Sequence, residues 1–233
     1  MVSRVRIPPS PPKHSTMTKQ ASSKNTSSDS FEVETRGPLS SEDFHRVQEF
    51  LKKHAEPKGT FARYLIDYST FIEGIEERRK DVRLRITNGT PEIIIKTGEW
   101  AGTHRKEVAL TLPQNEFDNA VEMMALLGFE KGVGCIRVIH KYIIDNIELA
   151  LQEVPGHSAF FEAEIVVEDE KYAQKAHEDI LALLTKLTLK PFSKEEWYEY
   201  VKKLNVEANE VFDTATYDPV TFRKRFPAQF GQA

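Results

Sequence analysis

Glutamates separated by one residue occur at Glu32-Val33-Glu34 and at Glu162-Ala163-Glu164, and arginines are spaced the same way at Arg83-Leu84-Arg85. Arg36 extends the first series, Asp81 precedes the arginines, and Arg105 with Glu107 repeats the spacing. Glu148 and Gln152 follow it too, with Ala150 between them. Residues two apart on a β-strand project from one face. A wet sheet face would explain any one of these strands. A face selected for salt bridges would alternate signs between neighbours, whereas here acids and bases are segregated by strand. Grouped carboxylates suit a hard divalent cation, Mg²⁺ or Mn²⁺, which takes carboxylate oxygen and water. Grouped guanidiniums suit phosphate oxygens, which they bind as forks. The two together suit a polyphosphate.

Such faces need strands with an apolar reverse side and helices to cover it. Phe31 to Gly37 alternates as a strand, and Ser40 or Ser41 can cap a helix to about Ala55 carrying Phe44, Val47, Phe50 and Leu51 on one side. Strands are expected at 61–71, 81–87, 92–97, 106–112, 135–144, 147–154 and 159–167. Asn88-Gly89 and Asp145-Asn146 are hairpin turns. Pro113 is expected to open a helix to Leu127, stopped by Gly128. Helices follow over 171–187 and 193–204, the second with a Ser193/Glu196 capping box. Val33, Leu84, Ile86, Leu149 and Leu151 would face the helices, so the charged faces must point away from them together. The expected class is α+β, an antiparallel sheet of about eight strands that, closed into a barrel, would enclose a polyphosphate.

The 233 residues are 39% hydrophobic and 29% charged, with net charge −4. That composition supports a sizeable core and argues against duplex-DNA binding, which favours a basic chain. The lone Cys135 excludes a disulfide framework or a cysteine zinc site within the chain, and cysteine usage suits a reducing cytoplasm. No apolar run nears the roughly 18 residues of a membrane helix, and no secretion signal opens the chain.

Residues 1–30 hold eight Ser, four Pro and no aromatic residue, with five cations against Asp29. They are expected to be a disordered basic extension. Val5-Arg6-Ile7-Pro8 is what GTT-CGA-ATC-CC, a tRNA T-arm sequence, encodes. Translation is therefore expected to start at Met17, which a tRNA gene overlapping the upstream codons would support. Residues 31–205 form the expected domain, and 206–233 a Phe-rich tail without a clear pattern.

In their order along 31–190 these motifs resemble the CYTH family, the triphosphate tunnel metalloenzymes. Glu32-Val33-Glu34-Thr35-Arg36 resembles its opening Glu-x-Glu-x-Lys motif, and Arg83-Leu84-Arg85 its Arg-x-Arg strand. Lys96 matches the Lys of the next strand, and Arg105-Lys106-Glu107 an Arg-x-Glu strand. The segment 149–156 matches the late hairpin and Val-x-Gly turn, followed by the Glu162/Glu164 strand. The resemblance implies an eight-stranded antiparallel barrel with a charged interior tunnel and helices packed outside. It implies Mg²⁺ or Mn²⁺ on Glu32, Glu34, Glu162 and Glu164, and phosphate held by Arg36, Arg83, Arg85, Lys96, Arg105 and Arg137. Catalytic roles fall to Glu107 and Arg36. The implied activity is hydrolysis of inorganic, nucleoside or other organic triphosphate. The alternatives are cyclisation of ATP to cyclic AMP and diphosphate, or triphosphate binding without turnover. The implied partner is a small triphosphate-containing molecule, with no membrane and with a homodimer allowed. Two positions depart from the family pattern: Arg36 stands for the Lys, and Gln152 for the Asp before the Val-x-Gly turn.

The Gly-rich run 128–134 lacks phosphate-loop and dinucleotide spacing and reads as a helix stop and strand entry. The histidines show no metalloprotease spacing, and Arg223-Lys224-Arg225 reads as a solvated run.

Overall fold

Alternation decides the architecture, because each strand has one apolar and one charged face. The computed structural model describes residues 31–76, 78–98 and 104–232. Its strands are β1 (Phe31–Leu39), β2 (Glu56–Asp67), β3 (Lys80–Thr87), β4 (Thr90–Thr97), β5 (His104–Thr111), β6 (Lys131–Ile144), β7 (Ile147–Val154), β8 (Ser158–Val167) and β9 (Glu210–Asp213). Its helices are α1 (Ser41–His54), α2 (Phe117–Leu126), α3 (Ala173–Lys186), α4 (Lys194–Glu207) and α5 (Pro219–Arg225). The strands pair in the order β2-β3-β4-β5-β1-β8-β7-β6, and β6 pairs back with β2. Eight antiparallel strands thus close a ring. The ninth, β9, pairs with Lys131–Gly134 of β6, beyond the stretch that β7 occupies.

Apolar side chains point out of the ring into two main cores. Val33, Leu149, Leu151, Phe161 and Ala163 pack with Phe44, Val47 and Leu51 of α1 and Ile180 and Leu184 of α3. Tyr64, Ile66, Leu84 and Ile86 pack with Phe117, Val121 and Met124 of α2 and with Phe222 and Phe226. A third, small cluster seats α4 through Leu204 and Trp197 on Phe160. No helix among the described residues is long and apolar enough to cross a membrane.

The local signals hold where backbone chemistry sets them. Asn88 and Gly89 take φ of 46° and 86°, and Asp145 and Asn146 take 51° and 64°, as two-residue hairpin turns require. Ser40 caps α1, and the Ser193/Glu196 capping box closes reciprocally. Several boundaries differ from expectation, and β6 begins at Lys131 where a strand from 135 was expected. β2 starts at Glu56 and stops at Asp67, whose carboxylate accepts from the Ser69 amide at 3.0 Å and turns the chain. Its first residues are polar and exposed, so they show no alternation, yet β6 pairs with them around a bulge at Pro57/Gly59. Pro113 makes a turn, its carbonyl accepting from Glu116, and α2 begins at Phe117. The helix expected from 171 begins as a short 3₁₀ turn capped by Asp169. The tail supplies β9 and α5.

Candidate active site

Strand alternation sends the charged residues into the ring, where they meet across intervening strands. Lys96 on β4 reaches past β5 to pair with Glu32 on β1, and lies 2.9 Å from Glu107 and 3.8 Å from Glu34. Arg105 on β5 bridges Glu34 at 2.7 Å and Asp81 at 3.1 Å. Asp81 also receives Arg83, through Nε at 2.8 Å, and lies 3.5 Å from Arg78, which is held by Asp67 at 2.8 Å. Arg36 pairs with Glu34, and its Nε lies 2.8 Å from Glu162. Arg85 pairs with Glu92 on the neighbouring strand at 2.8 Å. The ring interior thus holds a network of ions.

Burial opposes charge at each of these carboxylates, and neighbours decide the outcome. Burial would raise Glu34, but Arg36, Lys96 and Arg105 hold it well below the usual carboxylate range. Burial at Glu162 is likewise overcome by Arg36, and at Glu107 by Lys96, so both are lowered. Burial wins at Glu32, pushed up to about 7 with Glu107 and Glu34 adding to it against Lys96. Burial also wins at Glu164, pushed up to about 8, where Glu32, Glu34 and Glu148 add repulsion.

Two imbalances remain after the pairs are matched. The first is acidic. Glu164 faces Glu34 on one neighbouring strand and Glu148 on the other, and among the described residues it makes no hydrogen bond or ion pair. Glu32, Glu34 and Glu164 can bring one oxygen each within 4.8 Å of one another. An all-carboxylate set containing a half-buried acid with no ion-pair partner fits Mg²⁺ or Mn²⁺.

The second imbalance is basic. Arg63 and Arg137 sit directly opposite each other on β2 and β6. Neither has a carboxylate partner among the described residues. Arg63 donates to Thr87 Oγ1 at 3.0 Å, and Arg137 donates to the Ile136 carbonyl at 2.7 Å and reaches Asn209 Oδ1 at 3.4 Å. Burial, with Arg85 alongside, pushes Arg63 down to about 9. Both line one cavity with Arg36 and Arg83, roofed by Trp197 and Leu204 of α4. Facing cations of this kind are stabilised by an anion, and phosphate oxygens match their forks.

Of the residues singled out in the sequence, Glu32, Glu34, Glu164, Lys96, Glu107 and Arg105 gather at the acidic part of the ring. Arg36, Arg83 and Arg137 line the arginine cavity together with Glu162, and Arg85 lies beside them against Glu92. Arg63 was missed, although Tyr64 and Ile66 alternate with it on β2 and the same period-two reading would have found it. Asp67 shares that face with Arg63 at the same period, whereas Arg78 and Asn209 carried no local signal, because only the folded ring brings them to their partners.

The model of the CYTH domain matches residues 30–198. The chain belongs to the CYTH family. No curated protein matches the chain. Among solved structures, the CYTH chain is similar to the PH1819 protein of Pyrococcus horikoshii, with 22% identity, TM-score 0.63, and coverage of 74% of this chain and 98% of that one. It is also similar to the PH1012 protein of the same organism, with 21% identity, TM-score 0.55, and coverage of 71% and 93%. A third is a "putative adenylate cyclase" of Vibrio parahaemolyticus, with 17% identity, TM-score 0.56, and coverage of 74% and 98%. At these identities the likeness is one of fold. The CYTH match ends within α4, so β9 and α5 lie outside it.

Proposed function

We propose that this CYTH protein binds a triphosphate together with Mg²⁺ or Mn²⁺ in a tunnel through the strand ring, which forms a closed barrel, and hydrolyses a phosphoanhydride bond. The observation that carries the reading is the double imbalance among the described residues: a half-buried acid without an ion-pair partner, and two facing arginines without an acid partner, inside one ring. A metal–polyphosphate complex satisfies both at once.

Arg63, Arg83, Arg137 and Arg36 would hold the phosphate oxygens, with Lys96 and Arg105 fixing the carboxylates beside them. Arg36 remains charged at any working pH and contributes electrostatics, with no capacity to act as a base. Burial opposes the charge of Glu107, but Lys96 keeps it ionised, so it is the carboxylate assigned to take the proton of the attacking water. A bound divalent ion would supply Lewis-acid stabilisation of phosphate oxygens. The remaining catalysis is positioning and preorganised charge.

The test is a screen of tripolyphosphate, ATP, GTP and thiamine triphosphate with Mg²⁺ and Mn²⁺, following released phosphate and cyclic AMP in parallel. Metal-dependent phosphate release is expected. Cyclic AMP with diphosphate would assign the cyclase activity instead, and tight binding without product would assign a binding module.

A further inference from the structure

Arg36 and Trp197 line the arginine cavity of about 100 Å³, and both also line a second cavity of about 280 Å³ that adjoins it. β5 pairs with β1 at Phe31–Val33, and beyond that stretch Glu34, Thr35 and Arg36 form one wall of the second cavity. The facing walls are Leu181 of α3 and Pro191, Phe192 and Trp197 around the start of α4. The Phe192 amide donates to the Arg36 carbonyl at 2.9 Å, and the Ser193/Glu196 capping box fixes the turn that follows. The Phe192 and Trp197 rings stand 5.6 Å apart at 45°. They make an aromatic corner tied to the strand that carries Arg36. Phosphate oxygens gain nothing from such a corner, whereas a flat heteroaromatic ring stacks on it. The charged groups around the cavity are Arg36, Lys194 and His177 against Glu34. The Glu34 carboxylate is already shared by Arg36 and Arg105, so the cavity repels a cationic ring.

We propose that this second cavity holds the base of a nucleoside triphosphate whose phosphates lie in the arginine cavity. The chain then acts on nucleoside triphosphates in preference to inorganic tripolyphosphate, which has no ring, and to thiamine triphosphate, whose thiazolium is positively charged. The inference rests on the triphosphate reading above and names its substrate class. A ligand that spans both cavities needs an anionic end joined to a flat apolar one. The second cavity is near the lower bound, about 300 Å³, of small-molecule pockets. Arg36 stands at the junction, under the Trp197 ring at 5.1 Å from its centroid, where the phosphate next to the sugar would meet it. Because the corner is already tied to β1, little ordering remains to be done on binding.

The experiment compares kcat/KM for ATP, GTP, tripolyphosphate and thiamine triphosphate with saturating Mg²⁺ or Mn²⁺. Calorimetry with the methylene-bridged analogues of ATP and tripolyphosphate gives the affinities apart from turnover. ATP and GTP are expected to exceed the other two by about tenfold or more. Leu181 is 37% exposed at the rim, so Leu181→Trp fills the cavity from its edge and should lower the ATP-to-tripolyphosphate ratio by about tenfold, in kcat/KM and in affinity. Lys194→Glu, at the first position of α4 where a negative charge suits the helix, should raise thiamine triphosphate relative to ATP by about threefold. Circular dichroism of each variant checks that it is folded. Tripolyphosphate handled as well as ATP, or an ATP preference that survives Leu181→Trp, would overturn the nucleotide inference and leave the triphosphate reading standing. No binding or turnover of any of the four would overturn both.

Discussion

Asp81 shows how a single buried carboxylate organises the ring. It is 1% exposed and is approached by Arg78, Arg83 and Arg105. Burial opposes its charge, but the three arginines hold it far below the ordinary carboxylate value. Asp81→Asn leaves the cations facing one another without their shared anion, and is expected to cost about 3 kcal/mol at pH 7. A depressed pKa contributes stability above the unfolded value and loses it as pH falls. The gap between wild type and Asp81→Asn should therefore be full at neutral pH and start to close below 3.8, as urea melts across a pH series would show. Glu32 and Glu164 have the opposite sign. Burial raises them to about 7 and about 8, so in the metal-free protein they hold protons that an unfolded chain would release. An ion must displace those protons. Mg²⁺ affinity is expected to rise between about pH 6 and 8 with proton release, and to level off above. Calorimetry in buffers of different ionisation enthalpy counts the protons, and Glu164→Gln should flatten the profile.

At the scale of elements, β1 lies where the site and the outer core meet. Its Glu32, Glu34 and Arg36 face in, whereas Val33 faces out under α1 and α3. Gly37 marks a close approach: a Cβ there would meet the Lys190 backbone oxygen at 2.3 Å and the Phe161 ring at 2.4 Å. The Phe161 side chain is fully buried and the oxygen belongs to the main chain, so neither can yield cheaply. Gly37→Ala is expected to cost about 1–3 kcal/mol and shift β1 against β8, read as a lower thermal midpoint with weakened Mn²⁺ binding.

The tail, which has no clear pattern in the sequence, is a structural element as well. Phe222 and Phe226 contact Tyr64 at 4.8 and 4.6 Å between ring centroids, and Tyr64 donates to Glu210 on β9 at 2.7 Å. Ending the chain at residue 206 strips that cover from β2 and β3. The truncated protein is expected to aggregate or melt well below the full chain, as differential scanning fluorimetry and light scattering would report.

For the whole molecule, the ring is an inverted arrangement, with apolar packing outside the strands and ions within. Like charges face each other across strands at Glu34/Glu164 and at Arg63/Arg137, so the ligand-free state carries repulsion that bound ligands remove. Metal and tripolyphosphate together should raise the melting temperature by more than the sum of their separate effects, because each neutralises the charge that repels the other. At one hundred times its dissociation constant, a ligand contributes about 2.7 kcal/mol. Thermal melts with metal, with tripolyphosphate and with both would measure the coupling, and strictly additive shifts would place the two ligands apart.

The sequence by itself determined the strands and their charged faces. Side chains alternate at every residue of an extended chain, whatever it packs against, so Glu32/Glu34, Arg83/Arg85 and Glu162/Glu164 could be assigned to shared faces before any contact was known. The Asn88-Gly89 and Asp145-Asn146 turns and the Ser193 capping box are equally local, because left-handed φ values and cap hydrogen bonds are set within a few residues. Tertiary structure alone decided which faces meet. Only ring closure by β2 with β6 sets Arg63 opposite Arg137, residues 74 positions apart on strands with no local reason to pair. Only the order of β1, β8 and β7 separates Glu164, left among acids, from Glu162, occupied by Arg36 and Gln152. Spacing along the chain gives those two glutamates the same signature. Their different charge states arise from partners more than a hundred residues away, through Coulomb interactions that depend on distance in space.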